Sequence, residues 1–278
     1  DLLVYAKYSR SYVSGGKLAN IEWKPEIAKS WEAGVKSTMF DGKLRANLAL
    51  FAVTYDNLQL AQGGSAFALS NPTVANIPVI ITGVNVPFKA KGFELELTAA
   101  PTRGLTLGAN LGYTTTKFDG VLSATVLVTA ASGLCGAEFG AVAATPVPTA
   151  AQLSALAACE TAASPHYKQT LLPAVTSNLW AQWESEPLFG GDARLSVRLD
   201  AQIKSSQRFD ANDDAPLPGF EPVEKSPSTL ILNGRIALSD FDLGPLKTTF
   251  ALWGRNLTDD KSIQFTGGIS GVSRSASF

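Results

Sequence analysis

The chain has 278 residues, with 23 Lys and Arg against 24 Asp and Glu, and a formal net charge of −1. This balance gives no reason to expect a nucleic-acid-binding protein, because such proteins carry a clustered excess of positive charge. Hydrophobic residues make up 45% of the chain, yet no run of about 18 apolar residues occurs, which excludes a transmembrane helix but not membrane-crossing strands.

Nine stretches of the sequence alternate apolar with polar residues, a pattern that is typical of β-strands with one apolar face. The clearest is residues 193–204, where Leu195, Val197 and Leu199 share one parity while charged and polar residues occupy the other. Most of these stretches are about 10 to 15 residues long, well above the common strand length of about 5 or 6. The predicted strands are residues 1–12, 30–39, 43–57, 88–100, 104–118, 174–186, 192–205, 228–238 and 246–257.

The connections between the predicted strands alternate in length along the chain. The first short one, Phe40-Asp41-Gly42, contains a dipeptide that is a strong signal for a tight hairpin. Short connections are predicted at residues 40–42, 101–103, 187–191 and 239–245. Long connections are predicted at residues 13–29, 58–87, 119–173 and 206–227. All the short connections would therefore meet at one end of an antiparallel sheet, and all the long ones at the other.

Strand length and one-sided loops together indicate strands that cross a membrane. Twelve residues span roughly 40 Å, and a tilt of about 45° reduces this to about 30 Å, the hydrocarbon thickness of a bilayer. We therefore predict an all-β protein, an antiparallel transmembrane β-barrel segment with short periplasmic turns and long extracellular loops. The alternative is a soluble β-sandwich or propeller, whose apolar face would pack against another sheet. Aromatic residues of the apolar parity lie near predicted strand ends, as interfacial girdles do: Tyr8, Trp31, Tyr113 and Trp183.

The direction of the strands follows from the loops, because a long first connection makes the first strand run toward the extracellular side. A tenth strand should return after the last long connection near residue 258, but Val272–Phe278 is too short for it. The chain also starts within a strand pattern. We expect it to be mature material or part of a longer protein, ending inside the final loop or strand.

The longest connection, residues 119–173, is predicted to be an extracellular insertion. It holds both cysteines, Cys135 and Cys159, and such a pair suits an oxidising compartment. A disulfide between them would staple the loop, which the chain-entropy estimate values at roughly 3 kcal/mol. The Ala-rich sequence that follows Pro148 predicts a short helix. No histidine spacing supports a metal site or a nucleophilic cysteine there.

Few residues have a pattern that points to chemistry. His166 is the single histidine, and the enzyme alternative is a ten-stranded outer-membrane hydrolase that combines such a histidine with acids on long loops. The segment QRFDANDDAPLPGF gathers acidic residues, but it lacks the glycine and the distant glutamate of a calcium loop, so it predicts a solvated turn. We expect no metal and no cofactor.

Three motifs, in the right order over nearly the whole chain, resemble those of TonB-dependent outer-membrane receptors. The first lies in KPEIAKSWEAGVKSTMFDGKLRANLALFAVTYDNLQL, and its matching groups are Pro25-Glu26, Glu32-Ala33-Gly34-Val35-Lys36, Phe40-Asp41-Gly42 and Tyr55-Asp56-Asn57-Leu58-Gln59. The second is a hairpin with Lys91, Gly92, Glu94 and Glu96. The third is a near-terminal strand with Arg255-Asn256-Leu257-Thr258-Asp259.

The resemblance implies a 22-stranded barrel around an N-terminal plug. Residues 1–278 would supply about the last ten strands, without the plug. It also implies a bacterial outer-membrane transporter rather than an enzyme, in which extracellular loops capture a scarce ligand and TonB opens a path through the barrel. The expected partners are the TonB complex acting through the missing plug segment, outer-membrane lipid and lipopolysaccharide, and a small-molecule ligand, with no nucleic acid.

The ligand that the resemblance favours is an iron chelate, a ferric siderophore. Relatives also carry cobalamin, saccharides, aromatic compounds and haem, and a structural or adhesive barrel stays open as an alternative. We predict ligand-binding residues in or beside two long loops: Phe67, Asn71, Asn85, Phe88, Arg208, Asp210 and Asp213. The polar strand faces are expected to meet plug groups or water through Glu32, Lys36, Glu94, Glu96, Arg194 and Arg198.

Overall fold

The computed structural model describes residues 1–18, 21–62, 81–123, 127, 135–169, 172–208, 225–262, 265–269 and 272–276. Two α-helices and a 3-10 turn lie wholly within these residues and interrupt a succession of strands. The helices are α1 (Gly136–Ala143) and α2 (Ala150–Ala163), followed by the 3-10 turn Ser164–His166. The strands are β1 (Leu2–Val13), β2 (Gly16–Leu18), β3 (Ile21–Trp23), β4 (Glu26–Met39), β5 (Leu44–Gln62), β6 (Ile81–Thr102), β7 (Leu105–Phe118), β8 (Val175–Glu184), β9 (Arg194–Lys204), β10 (Gln207–Arg208), β11 (Lys225–Ser226), β12 (Thr229–Leu243), β13 (Leu246–Gly254), β14 (Phe265–Ile269) and β15 (Val272–Ala276).

Nine long strands form one antiparallel sheet in which neighbours in space are neighbours in sequence. Its order is β1-β4-β5-β6-β7-β8-β9-β12-β13, so all nine predicted strands are confirmed. The remaining strands pair two by two, β2 with β3, β10 with β11 and β14 with β15. The tight turns all lie at one end of the strands, which we call the short-turn end. The long connections lie at the opposite end, which we call the long-loop end.

Strands β5 and β6 extend beyond their predicted limits of residues 43–57 and 88–100. The pairing register shifts between Tyr55 and Leu58, and Asn57 there adopts a φ of 58°. Pairing then resumes, with Gln59 opposite Asn85. A bulge of this kind reverses the parity of the residues that follow it, which hides the continuing strand from a search for alternation.

The register places the apolar parity of every long strand on one continuous face of the sheet. In one row Leu48 lies opposite Leu95, which in turn lies opposite Leu111. We call this the outer face, and the polar face opposite it the inner face. On the outer face Leu199 lies beside Ala181 and Gly234.

Large apolar side chains of the outer face are open to the surroundings. Val4 is 68% exposed, Leu50 54% and Leu252 73%, and no strand or helix of the described ranges covers this face. The soluble sandwich or propeller alternative is therefore wrong. The rings of Tyr8 and Trp31 meet at a centroid distance of 4.7 Å near the long-loop end, as predicted for an interfacial girdle. Among the described residues, no helix is long and apolar enough to cross a membrane.

Aromatic side chains of the inner face lie close to glycines of the adjacent strand. A Cβ added to Gly108 would overlap the Trp180 ring, and one added to Gly92 would overlap both the Tyr113 backbone oxygen and the Phe51 ring. A side chain at position 92 would therefore push a neighbouring strand away, whereas one at position 108 would displace the Trp180 ring.

We expect Gly92→Ala to lower the free energy of unfolding by about 1–3 kcal/mol, the usual cost of overpacking, because a strand backbone must move. Gly112→Ala is the matched control, since its nearest obstacle is the rotatable Thr176 hydroxyl at 3.0 Å. Urea titration of the full receptor refolded in lipid vesicles measures both. Equal losses would contradict the close approach at Gly92.

Candidate functional site

Polar side chains form a continuous row across the inner face. The register places Lys36, Asn47, Glu96, Asn110, Asn178 and Gln202 side by side on six adjacent strands. Asn47 Nδ2 donates to Glu96 Oε2 at 3.2 Å. Asn178 Oδ1 is shielded from solvent and accepts no hydrogen bond within the described part of the chain. Four residues of this polar row, from Glu96 to Gln202, border a concavity of about 630 Å³, where they offer hydrogen bonds to a polar solute or a polar protein surface.

A second group of polar contacts lies beside the row on β1 and β4. The Tyr5 hydroxyl donates to Glu32 Oε1 at 2.8 Å, and Lys36 Nζ lies 5.8 Å from the centre of the Tyr5 ring. The Lys7 ammonium is 4.0 Å from Glu32. The predicted inner-face residues Glu32 and Lys36 therefore contact their own wall and still border a concavity of about 380 Å³.

Arg198 uses its hydrogen-bonding capacity within the wall. Its Nε and Nη2 donate to the two carboxylate oxygens of Asp200 at 2.9 and 2.7 Å, and Nη1 donates to Gln182 Oε1 at 3.1 Å. The guanidinium stacks 4.7 Å from the centre of the Trp180 ring. This geometry makes Arg198 a wall-stabilising residue, and its side chain, 38% exposed, can also meet water as we expected. Arg194 similarly contacts Glu184 at 3.4 Å.

The insertion packs on the inner face at the long-loop end. Three inner-face aromatic residues of β5, β6 and β7 lie side by side in space. The ring centroids are 5.8 Å apart for Tyr55 and Phe88 and 5.0 Å apart for Phe88 and Phe118. The Tyr167 ring continues the series, 4.8 Å from Phe118 in an edge-on contact. Leu122, only 1% exposed, joins the same buried cluster. The principal buried cluster of the described residues therefore joins the insertion to the sheet.

The insertion is held together by a disulfide and two helices. Cys135, immediately before α1, is bonded to Cys159 in α2. Helix α2 confirms the predicted Ala-rich helix, and its Thr149 cap exchanges hydrogen bonds with Gln152 in a capping box. Helix α1 was not predicted, because its sequence GAEFGAVA is short and contains two glycines.

The predicted ligand-binding residues do not meet in one pocket of the described chain. Asn85 lies within β6, where Nδ2 donates to the carbonyl oxygens of Lys24 and Asn57 at 3.1 and 2.9 Å. Phe88, also in β6, is 8% exposed in the buried cluster. Arg208 lies in the β10–β11 pair. The other four predictions lie outside the described residues: Phe67, Asn71, Asp210 and Asp213.

One further concavity of about 390 Å³ lies between the inner face and the foot of the insertion. Phe88 borders it together with Tyr55, Glu26, Thr116 and Gln169. Sequence reasoning singled out Phe88 but missed the other four. The signal was present in part, since Tyr55 has the polar parity of its strand, where a large aromatic side chain is out of place.

The motif after β13 folds into a turn that is fastened to β12. Asn256 Nδ2 donates to the Asp260 carbonyl at 3.0 Å, and the Asp260 carboxylate accepts the backbone N–H groups of Ser262 and Leu230 at 2.8 and 2.9 Å. Hydrogen bonding from Ser262, and then from Leu230, holds the pKa of Asp260 below its ordinary value. This segment therefore has a structural role.

Residues 1–257 match the family model described as TonB dependent receptor-like, beta-barrel. The chain belongs to this family. The match makes it a bacterial outer-membrane barrel of a receptor family rather than an enzyme, so the hydrolase alternative is not supported. His166 lies in the 3-10 turn, and no cluster of metal-ligating side chains occurs among the residues described.

Solved structures of TonB-dependent receptors have the same fold at low sequence identity. The ferric yersiniabactin uptake receptor FyuA from Yersinia pestis is 12% identical, with a TM-score of 0.61 over 99% of this chain and 33% of FyuA. BauA, the ferric preacinetobactin receptor from Acinetobacter baumannii, is 16% identical, with a TM-score of 0.58 over 94% of this chain and 31% of BauA. The ferripyoverdine receptor of Pseudomonas aeruginosa is 15% identical, with a TM-score of 0.60 over 95% of this chain and 28% of that receptor. This chain thus spans about a third of these receptors.

Proposed function

We propose that this chain forms part of the wall of an outer-membrane transporter that takes up a scarce ligand under the control of TonB. The family match over residues 1–257 is the observation that carries this proposal. The inner face adds physical support, because the polar row is suited to a hydrated passage while the outer face is suited to lipid. In this arrangement the short-turn end is periplasmic and the long-loop end is extracellular.

The ligand class that we propose is a ferric siderophore. The similar receptors from Yersinia pestis, Acinetobacter baumannii and Pseudomonas aeruginosa are each described by a ferric siderophore that they recognise. At identities of 12 to 16% this likeness concerns the fold, so cobalamin, a saccharide, an aromatic compound and haem stay as alternative cargoes. The seven predicted ligand-binding residues remain predictions.

The proposed partners follow from the same family. TonB would act through a segment outside this chain, since the chain corresponds to about a third of each similar receptor. Acyl chains of the membrane would cover the outer face, and lipopolysaccharide would contact its extracellular rim. The proposed domain organisation is one barrel segment over residues 1–278, with an extracellular insertion at about residues 119–173.

Uptake assays of the full receptor test this function. A strain that lacks its own receptors, with and without TonB, would express it at equal surface levels. Radioactive iron would be offered as a ferric catecholate and as a ferric hydroxamate, and labelled cobalamin would be offered separately. We expect TonB-dependent accumulation of one ferric chelate. Equal uptake with and without TonB would contradict the mechanism. TonB-dependent uptake of cobalamin but of neither ferric chelate would support the mechanism and show that the proposed ligand class is wrong.

A further inference from the structure

The start of the insertion is attached both to the sheet and to the turn that follows α2. Its first residue, Asp119, donates its backbone N–H to the Pro87 carbonyl at 2.9 Å, and its carboxylate lies 2.6 Å from Lys89 Nζ. Further along, the Leu122 N–H donates to Ser164 Oγ at 2.7 Å in a buried hydrogen bond. These contacts join the start of the insertion both to β6 and to the 3-10 turn that follows α2.

The aromatic packing of the insertion lies on the inner face, the side of the sheet that would face the lumen. Tyr55, Phe88 and Phe118 belong to the same face as the polar row, and Tyr167 of the insertion packs on Phe118. A loop that projected freely from the rim would leave these three rings exposed to water. The buried aromatic cluster instead opposes release of the insertion, because opening would expose its apolar surface.

We infer that the insertion is a fixed part of the inner wall that narrows the extracellular mouth on the β5–β7 side and so limits the size of a solute that can enter there. This inference rests on the proposed function for its biological meaning, since it treats the mouth as the entry for ligand. The docked segment comprises the described residues 119–123, 135–169 and 172–173. It would act as a size-selective element that stays in place between transport cycles.

Thiol labelling of the full receptor in intact cells tests this inference. Thr116 borders the concavity at the foot of the insertion. Ser9 occupies the same cross-strand row on β1, through Ser30, Val53 and Ala90, and is exposed. Thr116→Cys and Ser9→Cys therefore form a pair in one cross-strand row of the inner face, one beside the insertion and one distant from it. The two cysteines of this chain are joined in a disulfide, so neither competes with the introduced thiol.

A small charged methanethiosulfonate should label both introduced cysteines. A maleimide on a long polyethylene glycol chain should label Thr116→Cys about tenfold or more slowly than Ser9→Cys, because access requires the docked segment to open. Tyr167→Ala, which removes a docking ring, and Ser164→Ala, which removes the buried acceptor, should each reduce this difference. The Ser9→Cys rate in each background reports that the barrel itself has folded.

Two results would overturn the inference. One is equal labelling of the two positions by the bulky reagent in the otherwise native protein. The other is an unchanged difference in labelling rate between the two positions in both Tyr167→Ala and Ser164→Ala, when the labelling of Ser9→Cys shows that these variants have folded. Labelling requires neither TonB nor a transported ligand, so it can be interpreted even when no uptake is observed. The two proposals can therefore fail separately.

Discussion

Leu199→Arg should destabilise the folded receptor by about 2–4 kcal/mol, the cost measured for an arginine that faces lipid near the bilayer midplane. Leu199 is 47% exposed on the outer face, near the middle of β9. Its cross-strand neighbours are Ala181 and Gly234, which offer no counter-charge and no hydrogen-bond acceptor from a side chain. Urea titration in lipid vesicles gives the free energy of unfolding.

Gln202→Arg is the control for that substitution, because Gln202 lies on the same strand but on the inner face, beside the concavity of about 630 Å³. We expect little change there, since the new guanidinium can remain hydrated. Two substitutions of equal cost would mean that the assignment of lipid-facing and lumen-facing sides is wrong, and with it the membrane orientation of the whole sheet.

Replacing both cysteines, Cys135→Ser with Cys159→Ser, should weaken the insertion by about 3 kcal/mol in the chain-entropy estimate. The disulfide closes a loop with a sequence separation of 24, and its removal restores freedom to the opened state of this segment. The effect should be local, because the nine-stranded sheet is held by its own hydrogen-bond ladder.

Amide hydrogen exchange measures this local effect. Exchange in α2 should accelerate in the double variant, while exchange in the middle of β8 and β9 should stay as it was. Ser154→Ala, on the exposed surface of α2, is the matched control and should leave the exchange of the helix nearly unchanged. Unaltered exchange of α2 in the double variant would contradict a stabilising role of the disulfide.

The strands could be predicted because a sheet between water and lipid imposes a strict two-residue period. That rule fails where the backbone bulges, and the positive φ of Asn57 marks such a place. Asn85, which the alternation placed in a loop, consequently lies in β6, as does Phe88 at the predicted start of that strand. Their roles in hydrogen bonding and packing depend on strands that are 28 or more residues away in sequence, which alternation cannot reveal.

The candidate site was predictable in character but not in arrangement. Parity alone predicts that Glu96 and Gln202 share a polar face, yet only the pairing register shows that they belong to one row. The same limit applies to Arg198, whose three partners come from its own strand and the adjacent one. The packing of the insertion on the inner face could not be predicted from the sequence either, because the insertion does not share the two-residue alternation of the strands that it contacts.

The contact between Trp180 and Gly108 has a consequence for how this barrel can diverge. A methyl group at position 108 would overlap the indole, so the two positions cannot mutate independently. Among descendants of this sequence, loss of the glycine should accompany or follow replacement of the tryptophan by a smaller side chain. The pair should thus coevolve, and Arg198, stacked on the same ring, should join the same covarying group.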